Sequence, residues 1–179
     1  MKKPILVVSL VILLCFTFGC QNKARKAELD KMKAMAASEE QNKAIARQLH
    51  EALDSQNVDR FNELLAPGAV VHGAVPEEDI TAENAAQFLR PFYQAFPDLN
   101  HSIEDIIAKG DKVVARVLIQ ATHKGELMGI SPTGNRVKYH QITVLQIVDG
   151  KIKEGWRLTD SLGMMTQLGM ELKPKEVKK

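Results

Sequence analysis

Cysteine is nearly absent from this chain of 179 residues: there are two, Cys15 and Cys20, both close to the N-terminus. Everything after residue 20 is free of thiols, which excludes a disulfide framework, a cysteine-ligated metal and a cysteine nucleophile there. Excess charge is lacking too. The 24 Lys+Arg face 22 Asp+Glu, and without Lys2 and Lys3 the count is 22 against 22. A nucleic-acid binder would show a basic surplus on its domain, so no nucleic-acid partner is expected. The five histidines, His50, His72, His101, His123 and His140, have no His-x-x-x-His or other ligand spacing, and no metal is expected. No internal repeat is visible. The one apolar run falls short of the roughly 20 residues that a spanning helix needs.

That run has a particular form. Lys2 and Lys3 precede an apolar stretch from Pro4 to Phe18, which closes at Thr17-Phe18-Gly19-Cys20 before the polar Gln21-Asn22-Lys23. A basic start and a short apolar run are the parts of a secretory signal. The small residue before a cysteine resembles the lipobox of bacterial lipoproteins, with Thr17 and Phe18 in place of the usual Leu-Ala/Ser. The resemblance implies removal of residues 1–19, lipidation of Cys20 and a lipid-anchored place in the cell envelope. Gln21 after it, rather than Asp, implies the outer membrane where there is one. Residues 20–40, rich in Ala, Lys and Glu with a thin apolar face, are expected to form a helical, polar stalk. The folded domain is expected over 41–171, with a polar tail at 172–179.

Ala44, Ile45, Leu49, Ala52 and Leu53 recur at helical spacing and predict a helix that Asp54-Ser55-Gln56-Asn57 breaks. His50 on it is read as solvated. A second short helix carries Val58, Phe61, Leu64 and Leu65 up to Pro67-Gly68, and a strand follows at 69–72. Thr81 caps a third helix over 82–96, which Pro91 kinks or splits. The rest reads as strands: 101–108 and 112–123 about Lys109-Gly110-Asp111, then 136–148 and 151–160 about Asp149-Gly150, a two-residue hairpin signal. A Gly/Pro loop at 124–135 separates the hairpins, and 161–168 is a last short helix. Helices first and a meander after them predict an α+β fold, with the helices on one face of a curved antiparallel sheet.

Several segments carry a family resemblance: Gly125-Glu126-Leu127-Met128-Gly129-Ile130-Ser131-Pro132-Thr133-Gly134, Asp149-Gly150-Lys151-Ile152-Lys153-Glu154-Gly155-Trp156, Asp160, Gln167-Leu168-Gly169, and upstream Ala95-Phe96-Pro97-Asp98-Leu99 with Ile103-Glu104-Asp105. In this order they resemble the SnoaL-like ester cyclase (polyketide cyclase) family. The resemblance implies a nuclear transport factor 2-like cone: a bent antiparallel sheet wrapped around N-terminal helices, with an internal cavity. It also implies ring closure by intramolecular aldol chemistry without metal or organic cofactor, an Asp serving as acid/base. Fold alone does not give function, so a non-catalytic ligand-binding or structural envelope lipoprotein is the alternative.

A regular two-residue turn at Asp149-Gly150 places Thr143 opposite Trp156, Gln141 opposite Leu158 and Tyr139 opposite Asp160. Cross-strand pairs and alternate residues share a face. Tyr139, Gln141, Thr143, Trp156, Leu158 and Asp160 are therefore expected to line the cavity and meet a small hydrophobic ligand. His140, Ile142, Val144, Gly155, Arg157 and Thr159 are expected on the convex face, where a homodimer would form. A one-residue slip would invert the assignment. Asp160, at the position of the family's acid/base, is read as catalytic, and equally as an N-cap of the following helix. His72 and His123 are read as proton shuttles or as satisfied strand ends. Arg116, if inward, would need a carboxylate partner.

Overall fold

The computed structural model describes residues 4–73 and 76–171. The tail expected at 172–179 and the side chains of the expected signal, Cys20 included, lie outside the described residues. Among the described residues, no helix is long and apolar enough to cross a membrane. The chain divides into two compact units, Met1–Ser38 and Glu39–Lys179. Helix α1 is Pro4–Asp54. In the first unit its residues from Lys23 on are exposed throughout, as a stretch of Ala, Lys and Glu without a continuous apolar stripe requires.

In the second unit, the end of α1 buries Ala46, Leu49, His50 and Ala52. Both backbone groups of Gly110 are tied to this helix: its N–H donates to Glu39 Oε1 at 3.0 Å and its carbonyl accepts from Asn42 Nδ2 at 3.0 Å. Helix α2 (Val58–Leu64) is capped by Asn57, whose side chain accepts from the Arg60 N–H, and it buries Phe61 and Leu64. Strand β1 (Leu65–His72) starts at once, four residues before the expected strand. Pro67 is tolerated because β1 lies on the sheet edge and its register jumps between Leu65 and Val70. The Thr81 N–H donates to Asn84 Oδ1 at 2.7 Å. That turn delays helix α3 to Ala85–Ala95. Pro91 sits inside α3 with its ring on the exposed side and does not split the helix.

Strands β2 (Asn100–Lys109), β3 (Lys112–Thr122), β4 (Arg136–Val148) and β5 (Lys151–Thr159) form the expected antiparallel meander, and helix α4 (Ser161–Gln167) follows. The order is β1-β5-β4-β3-β2, and β1 joins β5 in parallel, an addition to the antiparallel plan. The fold is thus α+β, with a bent, unclosed sheet packed on its inner face against the helices. The core there includes Phe61, Leu89, Val113, Leu145 and Ile152, with Phe96, Val117, Ile119 and Val137 further along.

The hairpin at Asp149-Gly150 corrects the face assignment. Both residues have positive φ, 49° and 74°, the type I′ geometry that matches strand twist. Val148 faces Lys151 as expected and Ile147 faces Ile152, but Gln146 then faces Glu154. Lys153 is the extra residue of a β-bulge, and a bulge shifts everything beyond it by one. Thr143 consequently faces Arg157, Gln141 faces Thr159, and Val144 faces Trp156. The β4 half of the assignment stands. The β5 half inverts: Gly155, Arg157 and Thr159 point inward, while Trp156 and Leu158 lie on the outer face, 37% and 65% exposed.

Candidate functional site

A pocket of about 100 Å³ opens between the inner sheet face and helices α1 and α3. Leu49 and Leu53 from α1, Phe88, Leu89 and Phe92 from α3, and Val71, Ile119 and Leu145 from the sheet make its wall apolar. A neighbouring cleft of about 680 Å³ shares Phe88, Phe92 and Arg157 with it and is bordered by Glu77, Glu78, Leu127, Met128, Met164 and Met165. The two spaces are consecutive, with Arg157 and two phenylalanines at their junction.

Polar groups converge on the inner pocket from both sides. On the sheet side, Tyr139, Gln141 and Thr143 line it as expected. Thr159 Oγ1 donates to Gln141 Oε1 at 3.0 Å, bridging β4 and β5. Arg157 Nη2 donates to the Glu78 carbonyl at 2.8 Å, and its guanidinium lies 4.9 Å over the Phe88 ring. Burial holds the Arg157 pKa below its ordinary value. On the helix side, His101 Nδ1–H donates to Asp54 Oδ1 at 2.5 Å, and the His101 backbone N–H donates to the same carboxylate. Asp54 ends α1, where the helix dipole disfavours a negative charge; the bonds from His101 offset that cost. The His50 ring packs 5.3 Å from the His101 ring. Burial, with His101 as a second cause, pushes the His50 pKa down to about 3, so this imidazole is neutral. Burial pushes the Tyr93 and Tyr139 phenols up to about 12, so both stay protonated.

Five of these polar atoms have no hydrogen-bond partner: both ring nitrogens of His50, the Tyr93 hydroxyl, Thr143 Oγ1 and Arg157 Nε. All lie in residues that line the pocket. Buried polar atoms are ordinarily paired, so a cluster of unpaired ones around one space marks where a ligand or water belongs.

Other expected site residues stand elsewhere. Asp160 is exposed and caps α4, with Oδ1 accepting from the Gly163 N–H at 2.8 Å; it is not in the pocket wall. His123 is fully buried, but it organises the 124–135 loop. Its Nδ1 accepts from the Thr133 N–H at 3.2 Å, and its ring packs 5.5 Å from Phe96. His72 sits at the rim of the sheet between Asp79 at 2.9 Å and Glu154 at 3.2 Å. Arg116 is on the outer face, paired with Glu104. Trp156 and Leu158 belong to that face as well, and His50 is buried rather than solvated.

A bent, open sheet curled over helices, with a polar-lined apolar pocket between them, defines the nuclear transport factor 2-like class. Within it, the chain belongs to the SnoaL-like polyketide cyclase family, whose model matches residues 43–168. It is 31% identical over 132 residues to an aklanonic acid methyl ester cyclase of Streptomyces sp. (strain C5), covering 70% of this chain and 80% of that one. Solved structures of AclR from Streptomyces galilaeus (TM-score 0.68, 28% identity, 76% of this chain and 87% of that chain) and IdmH from Streptomyces antibioticus (TM-score 0.65, 29% identity, 72% and 99%) share the fold.

Proposed function

We propose that this chain is a membrane-tethered, cyclase-type enzyme that applies acid/base chemistry without a cofactor to a hydrophobic carbonyl or ester compound. The observation that carries the reading is the set of unpartnered polar atoms in residues that line an otherwise apolar pocket. Such a lining suits a ligand that is mostly hydrocarbon with a few oxygens. The inner pocket takes the reactive carbonyl and the outer cleft takes the bulk. Family membership supports ring closure as the reaction class, and the methyl ester cyclases among its relatives supply the substrate analogy. Tethering rests on the lysine start, the apolar run and Gly19-Cys20. The alternative, a ligand-binding envelope protein without turnover, draws on Asp160 standing outside the pocket as a helix cap.

One experiment addresses location and ligand together. The full chain, extracted from membranes in mild detergent, is analysed by mass spectrometry as N-terminal peptides and as a solvent extract. The expected result is an acylated peptide beginning at Cys20, together with an oxygen-bearing hydrophobic compound that a pocket-filling Leu49→Trp variant does not retain. An unmodified N-terminus removes the tether. A compound retained equally by both forms removes the pocket.

A further inference from the structure

We propose that Asp54, His101 and His50 form a proton-transfer site at the helix end of the pocket, which takes the enolisable carbonyl group of a hydrophobic ketone or ester. The inference rests on the pocket being the ligand site and adds which groups move the proton. Asp54 fixes His101 Nδ1 as the protonated nitrogen, at 2.5 Å. In the neutral ring the remaining nitrogen, Nε2, carries the lone pair, and His101 is part of the pocket wall. A carboxylate that orients an imidazole in this tautomer is the arrangement of a general base. His50 is 2% exposed, and neither of its ring nitrogens has a partner. A neutral imidazole has one N–H to donate, and the Tyr93 hydroxyl beside the same space is a second unpartnered donor. The residues that carry base and donors therefore line one small chamber.

The chemistry balances without an added reagent. The C–H bond next to the substrate carbonyl breaks, and its proton goes to His101 Nε2. The C–H electron pair becomes the carbon–carbon double bond of an enolate, and the carbonyl π pair moves onto oxygen, held by His50 N–H and Tyr93 O–H. The enolate carbon then attacks a second carbonyl in the same molecule and forms a carbon–carbon bond. The new alkoxide takes the proton back from His101. Asp54 is a positioning residue throughout; His101 is the catalytic one.

The test is deuterium exchange at the α-carbons of 2-tetralone, followed by NMR with the full-length chain in detergent and heavy water. Binding is followed on the same samples through pocket methyl resonances. The wild-type chain is expected to accelerate exchange. His101→Gln is expected to slow it about 100-fold or more, within the usual range for losing a general base. Asp54→Asn is expected to lower kcat by a similar factor with KM unchanged, a split that a merely structural Asp54 would not produce. Asp54→Glu, which keeps the carboxylate, is expected to restore part of the rate and covers the case that the Asn variant folds poorly. Exchange unaffected in His101→Gln overturns the proposal, as does wild-type binding without exchange; both leave the pocket reading intact. Absence of binding overturns the pocket reading itself.

Discussion

Lowering the pH from 7.5 to 4.5 is expected to destabilise the folded domain by about 2–3 kcal/mol, chiefly through His50. This imidazole is 2% exposed and unpartnered, and burial depresses its pKa from 6.5 to about 3, with His101 adding to the shift and Asp54 opposing it. The folded value lies below the unfolded one, so the unfolded chain takes up the proton first. Below pH 6.5, each unit of acidification favours the unfolded state by about 1.4 kcal/mol, until the folded value is approached. His72 has the opposite sign. Its hydrogen bond to Asp79 raises its pKa, so its stabilisation is complete below the unfolded value and is lost as pH rises through the raised one. Its side chain is 32% exposed in a surface cluster, and solvent screening keeps that contribution small. Asp98, lowered by its bonds from Thr122, stabilises above the unfolded carboxylate value and gives way only at the acid end of the range. Urea midpoints at four pH values between 7.5 and 4.5 read the sum. His50→Leu is expected to flatten the acid limb, and parallel curves for the two proteins would contradict the assignment.

Gly125→Ala is expected to cost about 3 kcal/mol, the upper end for forcing extra volume into a packed site. A Cβ at this position would lie 2.3 Å from the Gln94 carbonyl oxygen and 2.8 Å from its carbon. These are backbone atoms at the end of α3, so no side chain can swing aside. The N–H groups of Lys124 and Gly125 both donate to the Ala95 carbonyl, at 2.8 and 3.2 Å. The 124–135 loop therefore cannot lift without losing them, and it carries Leu127 and Met128 to the edge of the outer cleft. Gly110→Ala is the reference. Nothing lies within 4 Å of its added Cβ, and only its φ of +61° resists substitution, for about 1 kcal/mol. Equal losses in urea denaturation for the two variants would contradict close approach as the reason for glycine at 125.

Much of the frame was legible because it rests on local rules. Asp149-Gly150 announced its hairpin, and β4 and the break at Asp54 lie where periodicity put them. The pocket was half legible for an equally physical reason. Tyr139, Gln141 and Thr143 are on a regular strand, so alternation placed them. Trp156, Leu158 and Arg157 lie beyond a bulge, where counting from the turn fails. Gly155 held the available hint: glycine inside a strand often marks a bulge or a close approach, and here a Cβ would meet Leu145 at 3.1 Å. His50 also left a trace, since it sits in the stripe of Ala46, Leu49 and Leu53 and shares a helix face with Asp54 four residues on. Nothing local connects Asp54 to His101, 47 residues later; the fold alone brings them together. At Asp160 two readings were open, and the structure shows its carboxylate on the Gly163 N–H of α4.

The central claim is that the pocket under α1 and α3 receives the carbonyl compound. Its most direct test is the set of nuclear Overhauser contacts between 2-tetralone and a methyl-labelled full-length chain. Contacts to Leu49, Val71 and Leu145, which line the pocket, are the predicted result. Contacts confined to Ile142 and Leu158, exposed on the outer face of the sheet, would contradict it.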